Sequence, residues 1–389
     1  MKISETVYLD HQATTSVFEQ VLREIGPYFS EICANPHSSD HALGWISSQA
    51  VEKAAQQVGG LIGADGDEII FTSGATESNN LALLGLAKRS VIECSTKKRI
   101  IVSSIEHKCV LAIGRILEEQ FGFRVEVMPV DEKGLISLSV LESILGNDVL
   151  AVSIMAVNNE IGTIQDIRNI SKVIRASGAI FHCDAAQAPI AMNMQEFAEN
   201  TDLLSLSGHK MCAPKGIGAL YIRRDLQEQI EPLIYGGGQQ NGIRSGTTPT
   251  PLCVGMGVAA EILNSPQAKH MRSELQKRRN KFVEKLSKLA WPTSLNGPPL
   301  VYRHPGNANI IFEGFVAQDI LSVLQPHLAA STGSACTSGI TEPSHVLKAI
   351  GLSDEQAEAS IRFSLGFDTS SEDIDRAVTL IDEALKKLS

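Results

Sequence analysis

A chain of 389 residues with 43% hydrophobic and 20% charged side chains buries an ample core, and its length suggests about two or three domains. Its 31 glycines and 15 prolines are ordinary usage, which excludes collagen-like and low-complexity architectures. With 34 Lys and Arg against 44 Asp and Glu, the net charge is −10, which argues against direct binding to nucleic acid or to an anionic membrane.

Along the first two thirds, short apolar runs alternate with longer amphipathic stretches. Four to six mostly branched or apolar residues predict strands at Glu68–Phe71, Arg99–Val102, Val149–Ile154, Ala179–Cys183, Leu203–Leu206 and Ala219–Ile222. Helical spacing predicts Ser47–Ile62, Asn79–Ala87, Lys108–Gln120 and Asp166–Ser177, the last with Ile167, Ile170, Val173 and Ile174 on one face. Strands alternating with helices imply an α/β domain with a mainly parallel sheet. Ligands of such sheets bind just beyond the carboxyl ends of the strands. After about residue 260 the texture changes. Met271–Leu289 reads as a long exposed helix, and Asn309–Phe312, Ser331–Gly339 and Ser360–Leu365 as short segments. Ser371–Lys387 reads as a closing helix, capped by Ser370 and Ser371 with nearby acidic residues. This predicts a smaller α+β domain.

The seven cysteines, Cys33, Cys94, Cys109, Cys183, Cys212, Cys253 and Cys336, lie far apart and form no C-x-x-C pair. That excludes a disulfide framework or zinc knuckle, implies no metal, and points to a reducing, cytoplasmic setting. The first residues carry no apolar run of the signal-peptide kind. The longest relevant apolar stretch, Val149 to Val157, falls far short of the roughly 20 residues a membrane span needs, so no membrane partner is expected.

The segments just after the predicted strands carry the chemistry. Thr72-Ser73-Gly74-Ala75-Thr76-Glu77-Ser78-Asn79-Asn80 is either a capped helix start or an anion site built on a helix N-terminus. His107, between a strand and a helix, is either structural or placed to stack on a planar ring and move protons. Asn158-Asn159-Glu160 offers fixed donors and acceptors, or only a turn. Asp184 can reach a crevice or cap a helix. Lys210, in Ser207-Gly208-His209-Lys210, can lie beside the crevice or on the surface. Each segment alone is ambiguous. Together they place a phosphate cradle, a stacking imidazole, a carboxylate for a ring nitrogen and an imine-forming lysine around one crevice. That set is what pyridoxal 5′-phosphate requires.

With these residues in place the chain resembles the cysteine desulfurases, in the class V branch of the pyridoxal-phosphate-dependent transferase (aspartate aminotransferase-like) fold. The resemblance covers nearly the whole chain. Besides the segments above, it rests on Tyr8-Leu9-Asp10, Ala13-Thr14-Thr15, Asn35-Pro36 with Ser38, His41 and Gly44, Gly236-Gly237-Gly238-Gln239, Arg244-Ser245-Gly246-Thr247 and Ser334-Ala335-Cys336. It implies a large cofactor domain over residues 16–260, with a seven-stranded, mainly parallel sheet flanked by helices. It also implies a small domain made of residues 1–15 and 261–389 that carries the catalytic cysteine loop.

The resemblance further implies a role for each site residue. Lys210 would hold the cofactor aldehyde as an imine, Asp184 would pair with the pyridine nitrogen, and His107 would stack on the ring and assist proton transfer. Gln187 would bond the phenolic oxygen. Ala75, Thr76, Ser207 and His209 would hold the phosphate, with Thr247 contributed across a homodimer. Asn159 touches the cofactor and, with Arg362, the substrate carboxylate, with Asn35 nearby. A guanidinium fork suits a carboxylate. Cys336 lies in Ser331-Thr332-Gly333-Ser334-Ala335-Cys336-Thr337-Ser338-Gly339, whose small residues predict a mobile loop. It would attack the sulfur of L-cysteine, leave L-alanine, and pass the persulfide sulfur to an acceptor protein. Cys183 and Cys253, in apolar surroundings, read as structural.

The start of the resemblance is unusual at Asp10-His11-Gln12, read as tolerated variation near the entrance. The chain ends 27 residues beyond Arg362, shorter than the housekeeping members, which points to a specialised acceptor for cluster assembly, tRNA thiolation or DNA sulfur modification. Rival readings are a selenocysteine lyase, an aminotransferase of the same fold, and a non-catalytic sulfur carrier. An aminotransferase needs no thiol, and intact Lys210, Asp184, His107, Cys336 and Arg362 argue against a non-catalytic carrier.

Overall fold

The computed structural model describes residues 6–333 and 343–389. Its centre is a seven-stranded sheet. In chain order its strands are β2 (Ile69–Thr72), β3 (Arg99–Ser103), β4 (Arg124–Met128), β5 (Val149–Ser153), β6 (Ile180–Asp184), β7 (Leu203–Ser207) and β8 (Gly218–Ile222), preceded by a short β1 (Val7–Tyr8) elsewhere. The spatial order is β2-β8-β7-β6-β5-β3-β4. Strands β7, β6, β5, β3 and β4 run parallel, and β8 runs against both β7 and β2. Two reversals restore direction, so β2 points the same way as β7. The carboxyl ends of β2, β3, β5, β6 and β7 therefore share one edge of the sheet.

The six strands expected from the residue pattern all form, each within a residue or so of its expected bounds. The seventh, β4, is hidden from the pattern because it is an edge. Arg124 and Val127 face solvent and only Met128 is buried, so the segment lacks a continuous apolar run. Strands β5, β7 and β8 are buried along their whole length, as strands covered on both faces must be. One apolar cluster, with Val152, Phe181 and Leu206, lies on one face, and another, with Ile100, Val102 and Leu220, on the other.

The helices carry four corrections. The one expected at Ser47–Ile62 starts at Ala42, and the one expected at Met271–Leu289 runs from Pro266 to Leu286. The one expected at Asn79–Ala87 runs from Ala75 to Ile92, starting one turn earlier. The helix at Thr250–Asn264 is not expected from the pattern, because it is buried nearly all round and shows no polar face. It packs on the helix Ala42–Ile62, where a side chain at Gly257 would come within 2.7 Å of the Ala54 backbone.

The remaining strands are β9 (Thr293–Leu295), β10 (Asn307–Phe312), β11 (Leu328–Ala329) and β12 (Ser360–Ser364). Strands β12-β10-β9 form an antiparallel sheet, and β1 pairs with β11. Val7 and Leu9 are buried in one cluster with Phe282, Phe312, Phe363 and Ile381, so the first residues join the C-terminal third. Ser370 caps the closing helix Ser371–Leu388 through a reciprocal bond with Asp373. No helix among the described residues is long and apolar enough to cross a membrane.

Candidate active site

At the shared carboxyl edge lies a cavity of about 700 Å³. After β2, Gly74 opens the helix Ala75–Ile92 with no side chain capping its first turn. The turn lies hard against β8: a side chain at Gly218 would sit 2.5 Å from the Gly74 Cα. Uncapped N–H groups at the positive end of an 18-residue helix favour an anion. Ala75, Thr76, Ser207 and His209 all line the cavity. The reading of the segment as a side-chain-capped helix start is set aside.

Asp184 closes β6 and is 4% exposed. Its Oδ2 accepts from Asn79 Nδ2 at 2.8 Å and its Oδ1 from the Ala186 N–H at 3.0 Å. It forms no ion pair among the described residues, and a carboxylate buried this way calls for a cationic partner. A protonated ring nitrogen meets that need. Lys210 follows β7, and its Nζ donates to the Gln12 carbonyl. Burial, reinforced by Arg362, pushes its pKa down to about 8, which leaves a sizeable share of free amine near neutrality. His107 faces the crevice, and desolvation by the surrounding protein outweighs Asp184 to hold its pKa below the ordinary value.

Arg362 on β12 is 4% exposed. Its guanidinium is already engaged: one NH2 group meets Asp10 Oδ1 at 2.6 Å and the other donates to the Asn159 carbonyl at 3.0 Å. Asn159 itself lines the cavity. Any further anion at this guanidinium must therefore share the fork with Asp10. Gln187 also lines the cavity and donates from Nε2 to the same Gln12 carbonyl that receives Lys210. Asn35 and Thr247 are exposed and are not brought to the cavity of this chain. Cys336 and its Ser334-Ala335-Cys336 motif lie outside the described residues.

Gln12, Asp10 and Asn79 are site residues that the sequence pattern does not single out. Gln12 is 2% exposed, its carbonyl collects Lys210 and Gln187, and its Oε1 accepts from Asn307 Nδ2 at 2.6 Å. Its backbone carbonyl is a structural hub, a role that leaves the side chain at this position open to variation. Asn79 sits one turn beyond Ala75, a spacing that puts both on one helix face. Glu106 is fully buried, and burial raises its pKa well above the ordinary carboxylate value. Cys183 and Cys253 are buried, as expected of structural thiols, and all six cysteines among the described residues are free.

An uncapped helix start, a buried carboxylate without an ion pair among the described residues and a lysine of lowered pKa on one cavity fit pyridoxal 5′-phosphate. Together with the fold, they define a pyridoxal-phosphate-dependent enzyme of the class-V aminotransferase type, and the Aminotransferase class-V family model matches residues 7–377. The cysteine desulfurase IscS of Rickettsia massiliae is 43% identical over 389 residues, covering 100% of this chain and 93% of its own. A solved NifS-like protein superposes with a TM-score of 0.90 at 33% identity, over 98% of this chain and 100% of its own. The structure of SspA in complex with cysteine superposes at 0.79 with 38% identity, over 92% of this chain and 98% of its own. The chain belongs to the cysteine desulfurase family.

Proposed function

We propose that this cysteine desulfurase takes sulfur from L-cysteine onto Cys336 as a persulfide, releases L-alanine, and hands the sulfur to an acceptor protein. The observation that carries the reading is the convergence of Lys210, His107, Asp184 and Arg362 on one cavity. Pyridoxal phosphate, when bound, supplies the electron sink for the pair left at the substrate α-carbon. The helix start at Ala75 and Thr76, with Ser207 and His209, would hold its phosphate, and Asp184 its ring nitrogen. Gln187 would turn from the Gln12 carbonyl to its phenolic oxygen, and Asn159 would contact it from the β5 side.

Arg362 and Asn159 orient the substrate by its carboxylate. Lys210 Nζ, with its lowered pKa, takes the α-proton. The Cys336 thiolate then attacks the substrate sulfur: the S–S bond forms, the Cβ–S bond breaks with its electron pair going to Cβ, and a proton taken up at Cβ and one returned to Cα by Lys210 let the carbon skeleton leave as alanine. Thr247 would reach the phosphate of a second copy. The exposed Leu22, Phe29, Trp45 and Tyr235 would be covered in such a homodimer. Asn35 would complete a substrate pocket there.

The two-domain division at residues 16–260 against 1–15 and 261–389 is supported by the separate core that unites Val7 and Leu9 with the C-terminal elements. The IscS relatives favour an acceptor of the iron–sulfur assembly kind, with tRNA-thiolation and DNA phosphorothioation proteins as the other outcomes of a transfer experiment. The free cysteines and the net charge suit a cytoplasmic protein. The test is Cys336→Ala. Holoenzyme absorbance should be retained while alanine release from cysteine falls to background; release at the parental rate rejects Cys336 as the sulfur acceptor.

A further inference from the structure

Cys109 is a thiol that the reaction above does not use, yet it lies inside the active cavity. It stands at the start of the helix Lys108–Phe121, where His107 is the N-cap. His107 Nδ1 accepts from the Cys109 backbone N–H at 3.2 Å and lies 3.1 Å from Cys109 Sγ. On its other side, Sγ is 3.3 Å from Asn79 Nδ2, and that nitrogen is 2.8 Å from Asp184 Oδ2. A carboxylate only accepts, so the Asn79 amide must turn its NH2 toward Asp184, and the same NH2 then donates to Sγ. The thiol hydrogen has two acceptors in reach, His107 Nδ1 at 3.1 Å and the Thr76 hydroxyl, and Nδ1 already accepts from the Cys109 backbone N–H, which marks it as the unprotonated nitrogen.

We propose that Cys109 is a positioning residue: with its own backbone N–H it locks His107 in the tautomer protonated at Nε2, and through Asn79 it ties that imidazole to Asp184. The inference rests on the reading of His107 as the residue over the cofactor ring. Two donors aimed at Nδ1 leave no room for a proton there. His107 therefore meets the ring as a neutral imidazole that presents an N–H at Nε2 and holds no free lone pair toward the substrate. It serves as a hydrogen-bond donor, and the base role falls to Lys210. The thiol itself stays protonated, since burial and Asp184 push its pKa up to about 11.

The charges around His107 act in both directions. Asp184 beyond β6 and Glu160 beyond β5 favour its cation, whereas Lys210 beyond β7 and His345 on the helix His345–Ala349 oppose it. The S–H donor adds to the opposition, because a bond to the neutral ring must be given up on protonation. Glu106, next in sequence, is fully buried, and burial disfavours its charged form.

The test is a long-range ¹H–¹⁵N titration of the His107 ring in the holoenzyme, assigned with His107→Gln. The parental protein should show the Nε2–H tautomer. Cys109→Ala should raise the His107 pKa by roughly half to one unit, the size of one lost hydrogen bond, and Cys109→Ser should restore most of the difference. The acid limb of the pH profile for alanine release should move up by the same amount in the Ala variant. An Nδ1–H tautomer in the parental protein, or an unmoved His107 pKa in Cys109→Ala, overturns the proposal. The tautomer readout needs no turnover. It stays separable from a failure of the desulfurase reading, which would appear as absent alanine release in the parental enzyme. Should neither variant fold, the parental tautomer alone decides.

Discussion

The same seven-stranded sheet carries a cavity at each end. Where β5, β6 and β7 begin, a cavity of about 500 Å³ is lined by Arg89, Glu93, Asp202, Arg223 and Asp225. There the main charges are matched within the protein. Arg89 bridges Glu93 and Glu231, and Arg223 bridges Asp202 and Asp225. At the carboxyl end Arg362 pairs with Asp10, but among the described residues the buried Asp184 forms no ion pair and the helix start at Ala75 has no side-chain cap. Volume and number of charged groups do not separate the two. What separates them is whether charges close on each other or are left for something to bind. Parallel topology places the second kind where strand ends and helix starts converge.

Substitutions at the two ends should break differently. The largest effect is expected from Lys210→Ala, which should abolish the visible absorbance of the bound cofactor and lower alanine release by about 10²–10⁴-fold or more. An unchanged spectrum would contradict the placement of the cofactor. Next, Arg362→Lys keeps the charge but loses the planar fork. It should raise KM for cysteine about ten- to a hundredfold, the equivalent of about 1.5–3 kcal/mol for a charge-assisted bond. A change in kcat alone would move Arg362 out of the carboxylate role.

A pH effect comes third in size. Lys210 captures the cofactor aldehyde only as free amine, and its pKa is lowered to about 8. The rate at which cofactor-stripped protein recovers its absorbance should therefore rise with pH up to about 8 and then level. A rise that continues toward the ordinary lysine value would show that the site does not depress this amine. The smallest effect on activity belongs to the far cavity. Arg223→Ala leaves Asp202, almost wholly buried, with only the Phe181 N–H at 2.7 Å, and should cost about 1–3 kcal/mol in unfolding free energy. Alanine release should stay at the parental rate; a loss comparable to that of Arg362→Lys would mean that the far end is not merely structural.

Most of the strand framework is legible in the sequence because buried strands announce themselves as short apolar runs. The edge strand β4 and the helix Thr250–Asn264 are not, one having too few buried residues and the other too many to show a period. In the site, Lys210, Asp184, His107 and the Ala75 helix start are legible because each comes directly after a strand end. Gln12, Asp10 and Cys109 escape for a different reason. Gln12 acts through its carbonyl, which any residue possesses. Asp10 acts on Arg362 across 352 positions of chain. Cys109 acts through a hydrogen bond whose direction depends on Asn79 and Asp184, on two other elements.

The order of residue types along the chain therefore determines the α/β class, the edge of the sheet that binds, the cofactor and the family, because each of these is written in local runs and in the residues that succeed them. The tertiary structure alone decides which charges are already satisfied, which amine is pushed toward neutrality, and which nitrogen of His107 holds the proton. Those properties depend on distance and desolvation between groups that the sequence keeps far apart.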